Sequence, residues 1–499
     1  MFNSEYDAVV VGSGPNGLAA AILLRQKGLS VLLIEAKDEI GGGLRSAELT
    51  LPGFVHDICS SIHPLGFASP FFSVLPLQEH GLEWVASPIA AAHPFDNGGA
   101  AILVRPVEDT ACRLGADATA YHRLMDPLVK DWRRLMPQIL GPLRLPADPV
   151  GMARFGLDGL PSVKTLARRF HTLEARGLLA GMAAHAMQPL TNWTTAAVAL
   201  LFLLAGHGKG WPFPRGGSAN LAGALGNYFK KLGGYVQTGM PVTDLSQLPS
   251  SRALLLDLTP RQLLRLGGHR WSSLYNRQLE RYRYGMGVFK IDWALAEPIP
   301  FTALECRQAA TVHLGNSFEE IADGEAATAR GEHAEKPFVL LTQASLFDSS
   351  RAPEGKQTAW AYCHVPGGST RDMTATIERQ VERFAPGFRD RILARHVMDC
   401  AQIESYNPNY VGGDINGGVM DIRQLFTRPA LRRSPYRTSA KGIYMCSSAT
   451  PPGGGVHGMC GYYAARRALR DIFGIRQARF CKGAEKGLGG SIPESQPRE

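Results

Sequence analysis

The chain's apolar positions fall into two textures, and the changes from one to the other mark its organisation. Val9, Val10 and Val11 form a β-branched run with no polar alternation, the pattern of a parallel strand covered on both faces. Gly12-Ser13-Gly14-Pro15-Asn16-Gly17 follows. Ala20, Ala21 and Leu24 then recur at helical spacing as far as Gly28, and Val31 to Ile34 form a second buried strand that ends at the acid Glu35. Strand, glycine turn, helix, strand and acid in that order predict a dinucleotide-binding unit. Gly12 permits the tight turn, Gly14 lets a pyrophosphate approach the backbone, and Gly17 lets the helix pack closely on the strand. The helix N-terminus that follows turns free N–H groups and a positive dipole end toward the phosphates. Glu35, followed by Ala36, is placed to accept hydrogen bonds from ribose hydroxyls.

The texture differs from residue 76 to about 214. Tyr121 to Leu140 and Ser162 to Arg176 mix apolar positions at helical spacing with Arg and Lys, which predicts basic amphipathic helices. Ala196 to Gly206 is the most apolar run, yet shorter than the roughly 20 residues that a membrane span needs. It reads either as a buried core helix or as a helix dipping into a lipid surface beside a substrate entrance. Arg215-Gly216-Gly217-Ser218 opens another helix, followed by a predicted strand from Tyr235 to Val242 and a buried strand over Ala253 to Leu258. Between 282 and 438, strand-like pieces at Gly287–Asp292, Phe338–Gln343 and Thr358–His364 and a helix at Asp372–Phe384 predict an antiparallel sheet with helices on one side. Trp360, Tyr362 and His364 alternate on one face of such a strand, as tunnel lining or as plain core.

Several motifs add a resemblance. Gly41-Gly42-Gly43-Leu44-Arg45 resembles the second glycine motif of glutathione-reductase-like FAD proteins, in which the glycines approach the cofactor and the basic residue, here Arg45, lies near its phosphates. Leu51-Pro52-Gly53-Phe54, Asp57 and His63-Pro64 are similar to the phytoene-desaturase-related oxidoreductases, the branch that includes carotenoid ketolases and pyridine nucleotide-disulfide oxidoreductase domain-containing protein 2. The closing stretch from Gly442 to Met459, with Gly453-Gly454-Gly455-Val456-His457-Gly458, resembles the C-terminal FAD signature of that family. The resemblance implies a Rossmann-like α/β FAD domain, discontinuous over 1–75, 215–281 and 439–475. An α+β substrate domain takes 76–214 and 282–438, and 476–499 is expected to be a disordered tail. It implies FAD as cofactor, bound by Gly12, Gly14, Pro15, Asn16, Gly17, Glu35, Ala36, Gly42, Gly43, Arg45, Val242, Gly454, Gly455, Val456, Gly458 and Met459. His56 and His63 become candidates for lining the flavin cavity, and His63 and His457 the candidate catalytic positions.

Composition narrows the partners. With 53 Lys plus Arg against 44 Asp plus Glu the chain carries +9, without the clustered basic tracts of a nucleic-acid binder. Either a solvated basic face or weak peripheral docking on anionic membrane accounts for that charge. Eight cysteines without CxxC or metal-ligand spacing predict reduced thiols and no metal site. Only five residues precede the first strand, so the expected location is cytoplasmic, with peripheral membrane contact allowed. No second strand-GxGxxG-helix unit is visible, so quinone or oxygen is a better expected electron acceptor than a dedicated NADPH site. The expected activity is hydride transfer from an apolar, lipid-like or polyene substrate to flavin. Flavin-dependent isomerisation or oxygenation, and a nonenzymatic escort that resembles Rab-GDP dissociation inhibitors, are the alternatives.

Overall fold

The valine run is the central strand of one fully parallel sheet. The computed structural model describes residues 5–425 and 427–476, so the expected tail lies outside the described residues but for Arg476. Five strands stand in the order Ile443–Met445, Ser251–Leu256, Tyr6–Val11, Val31–Ile34 and Tyr235–Gln237. Every neighbouring pair is parallel. Ala8 and Val10 face a core that they share with the helices Pro15–Arg25, Ser218–Lys231 and Met459–Ile472. Val9 and Val11 face a second core with Leu263, Trp271, Tyr275 and Leu279. Burial on both faces is why the strand sequence shows no alternation. The edge strand from Tyr235 is shorter than its sequence suggested: it ends at Gln237, and residues 238–242 run on as a loop that reaches Val242.

The second layer is a seven-stranded sheet in the order Ile392–Met398, Gly287–Leu295, Gln357–Val365, Val339–Thr342, Thr311–Leu314, Ala91–Pro94, Ala100–Leu103. It is antiparallel except where Val312 pairs with Ala92. Residues 76–214 are therefore not only helical, since their hairpin 91–103 extends this sheet. One sheet face packs Ile291, Val312, Leu341, Ala361 and Cys363 against the helix Thr374–Phe384 through Ile377, Val381 and Phe384. The other face meets the helix Leu173–Ala184, whose Gly177 and Gly181 leave room for His93 and His313.

Both basic amphipathic stretches are broken into shorter helices, and in the second the breaks fall where polar side chains cap a new helix. Tyr121 to Leu140 divides into Ala118–Lys130 and Trp132–Ile139. Ser162 to Arg176 divides because the Ser162 and Thr172 side chains each accept an N–H bond at a helix start, and Asp117 in turn holds Thr172. The apolar run Ala196 to Gly206 lies within the helix Thr195–Lys209, with Ala199, Leu200, Leu203 and Leu204 in the core. No helix among the described residues is long and apolar enough to cross a membrane.

Candidate functional site

A cavity of about 630 Å³ runs between the two sheets. At one end its wall is largely backbone. Gly12, with φ +95°, turns the chain at the end of the first strand. The helix that follows begins with Pro15, which has no N–H, and the Gly17 N–H donates to Asp257, so the Asn16 N–H and the positive end of the helix dipole are what its start offers to the cavity. Gly17 lies behind the lining: a Cβ there would stand 1.9 Å from the Gly12 carbonyl oxygen, so only glycine lets helix and strand close up. The two glycine motifs meet, since a Cβ on Gly42 would stand 2.9 Å from the Gly14 Cα.

Glu35 is buried at this end and is already well satisfied. The Ser13 N–H and hydroxyl donate to Oε2, the Lys37 N–H donates to Oε1 at 3.0 Å, and Arg45 lies 3.1 Å from Oε1. Arg45 also donates to the carbonyls of Glu39 and Gly42, so it clamps the second glycine motif. Asn16 leaves its buried Oδ1 without a protein partner. Gly12, Gly14, Pro15, Asn16, Glu35, Ala36, Gly42, Gly43, Arg45, Val242, Gly454, Gly455 and Val456 all line the cavity. Gly458 and Met459 do not: Gly458 packs on Phe72 and Met459 is fully buried. The closing helix instead sits backbone to backbone on the first, where a Cβ on Gly461 would be 1.7 Å from the Asn16 carbonyl oxygen.

The candidate histidines separate. His63 lines the cavity, and its Nε2 meets the Ser218 hydroxyl at 2.8 Å. That hydroxyl donates to the Ser60 carbonyl, so His63 Nε2 carries the hydrogen and Nδ1, which has no protein partner, is left as a lone pair. Burial pushes its pKa down to about 4, so the ring is neutral. His457 lies beneath the wall, with Nδ1 accepting from the Met459 N–H at 3.0 Å. His56 is also set back from the cavity, 3.7 Å from Asp292, and burial holds it near 4.

Other residues were not foreseen from the sequence. Asp257 ends the strand Ser251–Leu256, lines the cavity and accepts from the Gly17 N–H at 3.0 Å. Burial, with Glu35 nearby and against that hydrogen bond, pushes it up to about 7. An acid at the end of a predicted strand beside the glycine turn was the available signal. Tyr406 and Tyr410 close over the second glycine motif, with the Tyr406 hydroxyl donating to the Gly42 carbonyl at 2.9 Å. Their partners lie more than 300 residues away, and no local pattern marks them.

The far end of the cavity is walled by side chains. Val198, Leu201, Phe202 and Met187 come from the helical layer and Val288, Leu340, Trp360 and Tyr362 from the seven-stranded sheet. Trp360 and Tyr362 thus line the cavity, whereas His364 turns to Glu325 at 2.7 Å. Lys290 lines it too, buried and ion-paired with Asp292, which His396 also approaches at 3.3 Å. Behind the lining, buried Arg351 ties three distant segments together: it donates to Asp57 at 3.0 Å, to Asp348 at 3.1 Å and to the Pro214 carbonyl. Burial alone would raise Asp57, but Arg351 and hydrogen bonds from Ser218, Ser61 and Ser46 hold it well below the carboxylate range.

Comparison with known proteins agrees with this architecture. Residues 10–75 match the NAD(P)-binding Rossmann-like domain. The chain is 24% identical to pyridine nucleotide-disulfide oxidoreductase domain-containing protein 2 of Mus musculus over 94% of either chain. It is 22% identical to the lycopene-forming phytoene desaturase of a Paracoccus species, over 91% of this chain and 95% of that one. Among solved structures, an oxidoreductase from Methanosarcina mazei superposes with a TM-score of 0.64 at 15% identity, covering 92% of this chain and 99% of that one. These likenesses support an FAD-dependent oxidoreductase of the family that the sequence motifs resemble.

Proposed function

We propose that this chain binds FAD noncovalently along the glycine cradle and dehydrogenates an apolar, lipid-like substrate held in the far end of the same cavity. The observation that carries this reading is the continuity of the cavity from Gly12, Gly14 and Glu35 to Phe202, Leu340 and Trp360. The cradle fits the cofactor: glycines stand where a Cβ would intrude, the start of the helix Pro15–Arg25 borders the cavity, and Asn16 Oδ1 lacks a partner. Gly14, Asn16 and Gly42 would border the pyrophosphate, Glu35, Ala36 and Val242 the adenosine side, and Gly454, Gly455 and Val456 the flavin side. When bound, FAD supplies the hydride-accepting chemistry.

The chain's own residues then orient the substrate, keep water out and handle the proton. The apolar wall from Val198 to Phe202 positions a hydrocarbon segment. In the dehydrogenation one C–H bond gives up a hydride and the neighbouring C–H a proton, with a C=C bond formed between the carbons. His63 Nδ1, neutral and unpartnered on the cavity wall, is the group available to take that proton. The two electrons leave through a quinone or oxygen.

Substrate entry from a membrane belongs to the same reading. Leu157 and Leu160 are exposed, and Trp193 is exposed beside them, where the Thr194 N–H donates to the Leu160 carbonyl. Thr194 also bonds to the Met420 carbonyl, and Met420 lines the cavity. Of the arginines on the same segments, Arg169 pairs with Asp158 at 2.6 Å and Arg154 stands 3.9 Å from Asp131, and Arg168 suits an anionic leaflet. Purified protein should carry oxidised flavin, and a colourless protein that takes up no FAD on reconstitution defeats the reading. Anaerobic stopped-flow absorbance with apolar compounds tests the reaction: dehydrogenation leaves the flavin bleached, isomerisation returns it oxidised, and no bleaching at all argues against a desaturase.

A further inference from the structure

The far end of the cavity is not uniformly apolar. Thr311, Thr342 and Trp360 occupy successive strands of the seven-stranded sheet in one cross-strand row, Thr311 opposite Thr342 and Thr342 opposite Trp360. Neighbours in such a row stand about 5 Å apart on the same face. All three line the cavity and all three are more than nine-tenths buried. Yet Thr311 Oγ1, Thr342 Oγ1 and Trp360 Nε1 have no hydrogen-bond partner in the protein. Three unsatisfied polar groups in one row are costly in a folded chain, since each forfeits its hydrogen bonds to water.

The next row along the strands is His313, Leu340, Tyr362 and Lys290. Lys290 is paired with Asp292, its Nζ 5.2 Å from the Trp360 ring centroid, so the cation beside the row is already neutralised. The indole N–H can only donate, so whatever satisfies it must offer an acceptor. A carboxylate would bring a second buried negative charge next to Asp292 with no free cation to meet it. A neutral carbonyl oxygen, with two lone pairs and no charge, answers both conditions.

We infer that the substrate is an apolar chain bearing a neutral carbonyl group, whose oxygen is received by Thr311, Thr342 and Trp360. This rests on the reading of the far end of the cavity as the substrate site. A hydrocarbon without oxygen would leave the row unsatisfied in the complex as well. The three side chains are binding groups that fix which carbon lies toward the cofactor end.

The test uses the purified protein with Nile red in the cavity and displacement by two compounds of the same shape, 2-undecanone and 2-methyl-1-undecene, together with undecanoate. The ketone should displace the dye at about one-tenth the concentration of the olefin, as expected for one or two net hydrogen bonds. In the double variant Thr311→Val and Thr342→Val that preference should collapse toward one, with the olefin still bound. The variant should melt no lower than the parent, because the hydroxyls it removes have no partners to lose. Equal binding of ketone and olefin by the parent, equal weakening of both in the variant, or tightest binding by undecanoate overturns the inference. Flavin content is read separately from the visible spectrum: protein that lacks and refuses FAD defeats the proposed function, while the ketone preference remains measurable in it.

Discussion

The two ends of the cavity are built by different means. At the cofactor end the wall is largely backbone: Gly12, Gly14 and Gly42 bring main chain against main chain, and a charged pair, Glu35 with Arg45, braces the loops. At the substrate end the wall is side chain: Leu340, Trp360, Tyr362 and Lys290 project from three different strands. A backbone wall accepts one shape of ligand, because no rotamer change can enlarge it. A side-chain wall can be altered residue by residue without loss of the scaffold. The cofactor end is thereby suited to a fixed ligand and the substrate end to whatever chemistry the strands carry.

Behind the cavity wall, the buried link from the segment at Asp57 to the one at Asp348 is where one change should disturb both parts of the chain. Arg351→Met leaves Asp57 buried without its cation and Asp348 with only the partly exposed Arg215 at 3.8 Å, and the chain should lose about 3–5 kcal/mol of stability. Thermal or urea unfolding measures it; a loss below about 1 kcal/mol would mean the two halves stand independently. Gly14→Val tests the backbone wall alone. Its Cβ would lie 2.9 Å from Asp257 Oδ2, and the added bulk should weaken FAD by at least roughly a hundredfold, about 3 kcal/mol, in reconstitution titrations. Retained affinity would break the distinction between the ends.

Asp257 sharpens the comparison through pH. The folded chain holds its proton up to about pH 7, whereas the unfolded chain releases it near 3.8. Between those values the native state binds more protons, so this group's contribution to stability falls as pH rises toward 7 and stays low above it. Asp257→Asn should therefore stabilise by about 1–3 kcal/mol at alkaline pH and by almost nothing at about pH 4. A gain independent of pH would assign the effect to packing. The smallest effect concerns the exposed patch: Leu157→Ser with Trp193→Ser should reduce flotation with anionic liposomes at low salt by about 1 kcal/mol per residue. Absence of binding by the parent protein removes the membrane route altogether.

What was legible in the sequence follows the same division. Residues 6–35 declared strand, turn, helix and acid because consecutive residues dictate local backbone, and only glycine fits positions such as 12 and 17. The chain by itself therefore determined the Rossmann-like unit, the second glycine motif and the closing one, together with most of the residues that line the cofactor end. Of the closing motif, Gly454, Gly455 and Val456 line the cavity while His457, Gly458 and Met459 stand behind it, a division the sequence could not make because a motif shared with a family marks a segment and not which of its residues faces inward. It left open whether Ala196 to Gly206 belonged to a core or a membrane, since an apolar helix looks the same in either; packing put Leu200 and Leu203 in the core and Leu201 and Phe202 on the cavity wall. The row of Thr311, Thr342 and Trp360, the contact of Tyr406 with Gly42, and the bridge from Arg351 to Asp57 were decided only by the tertiary structure. Strand register and crossover connections choose which distant side chains become neighbours, and periodicity within any one segment carries no trace of that choice.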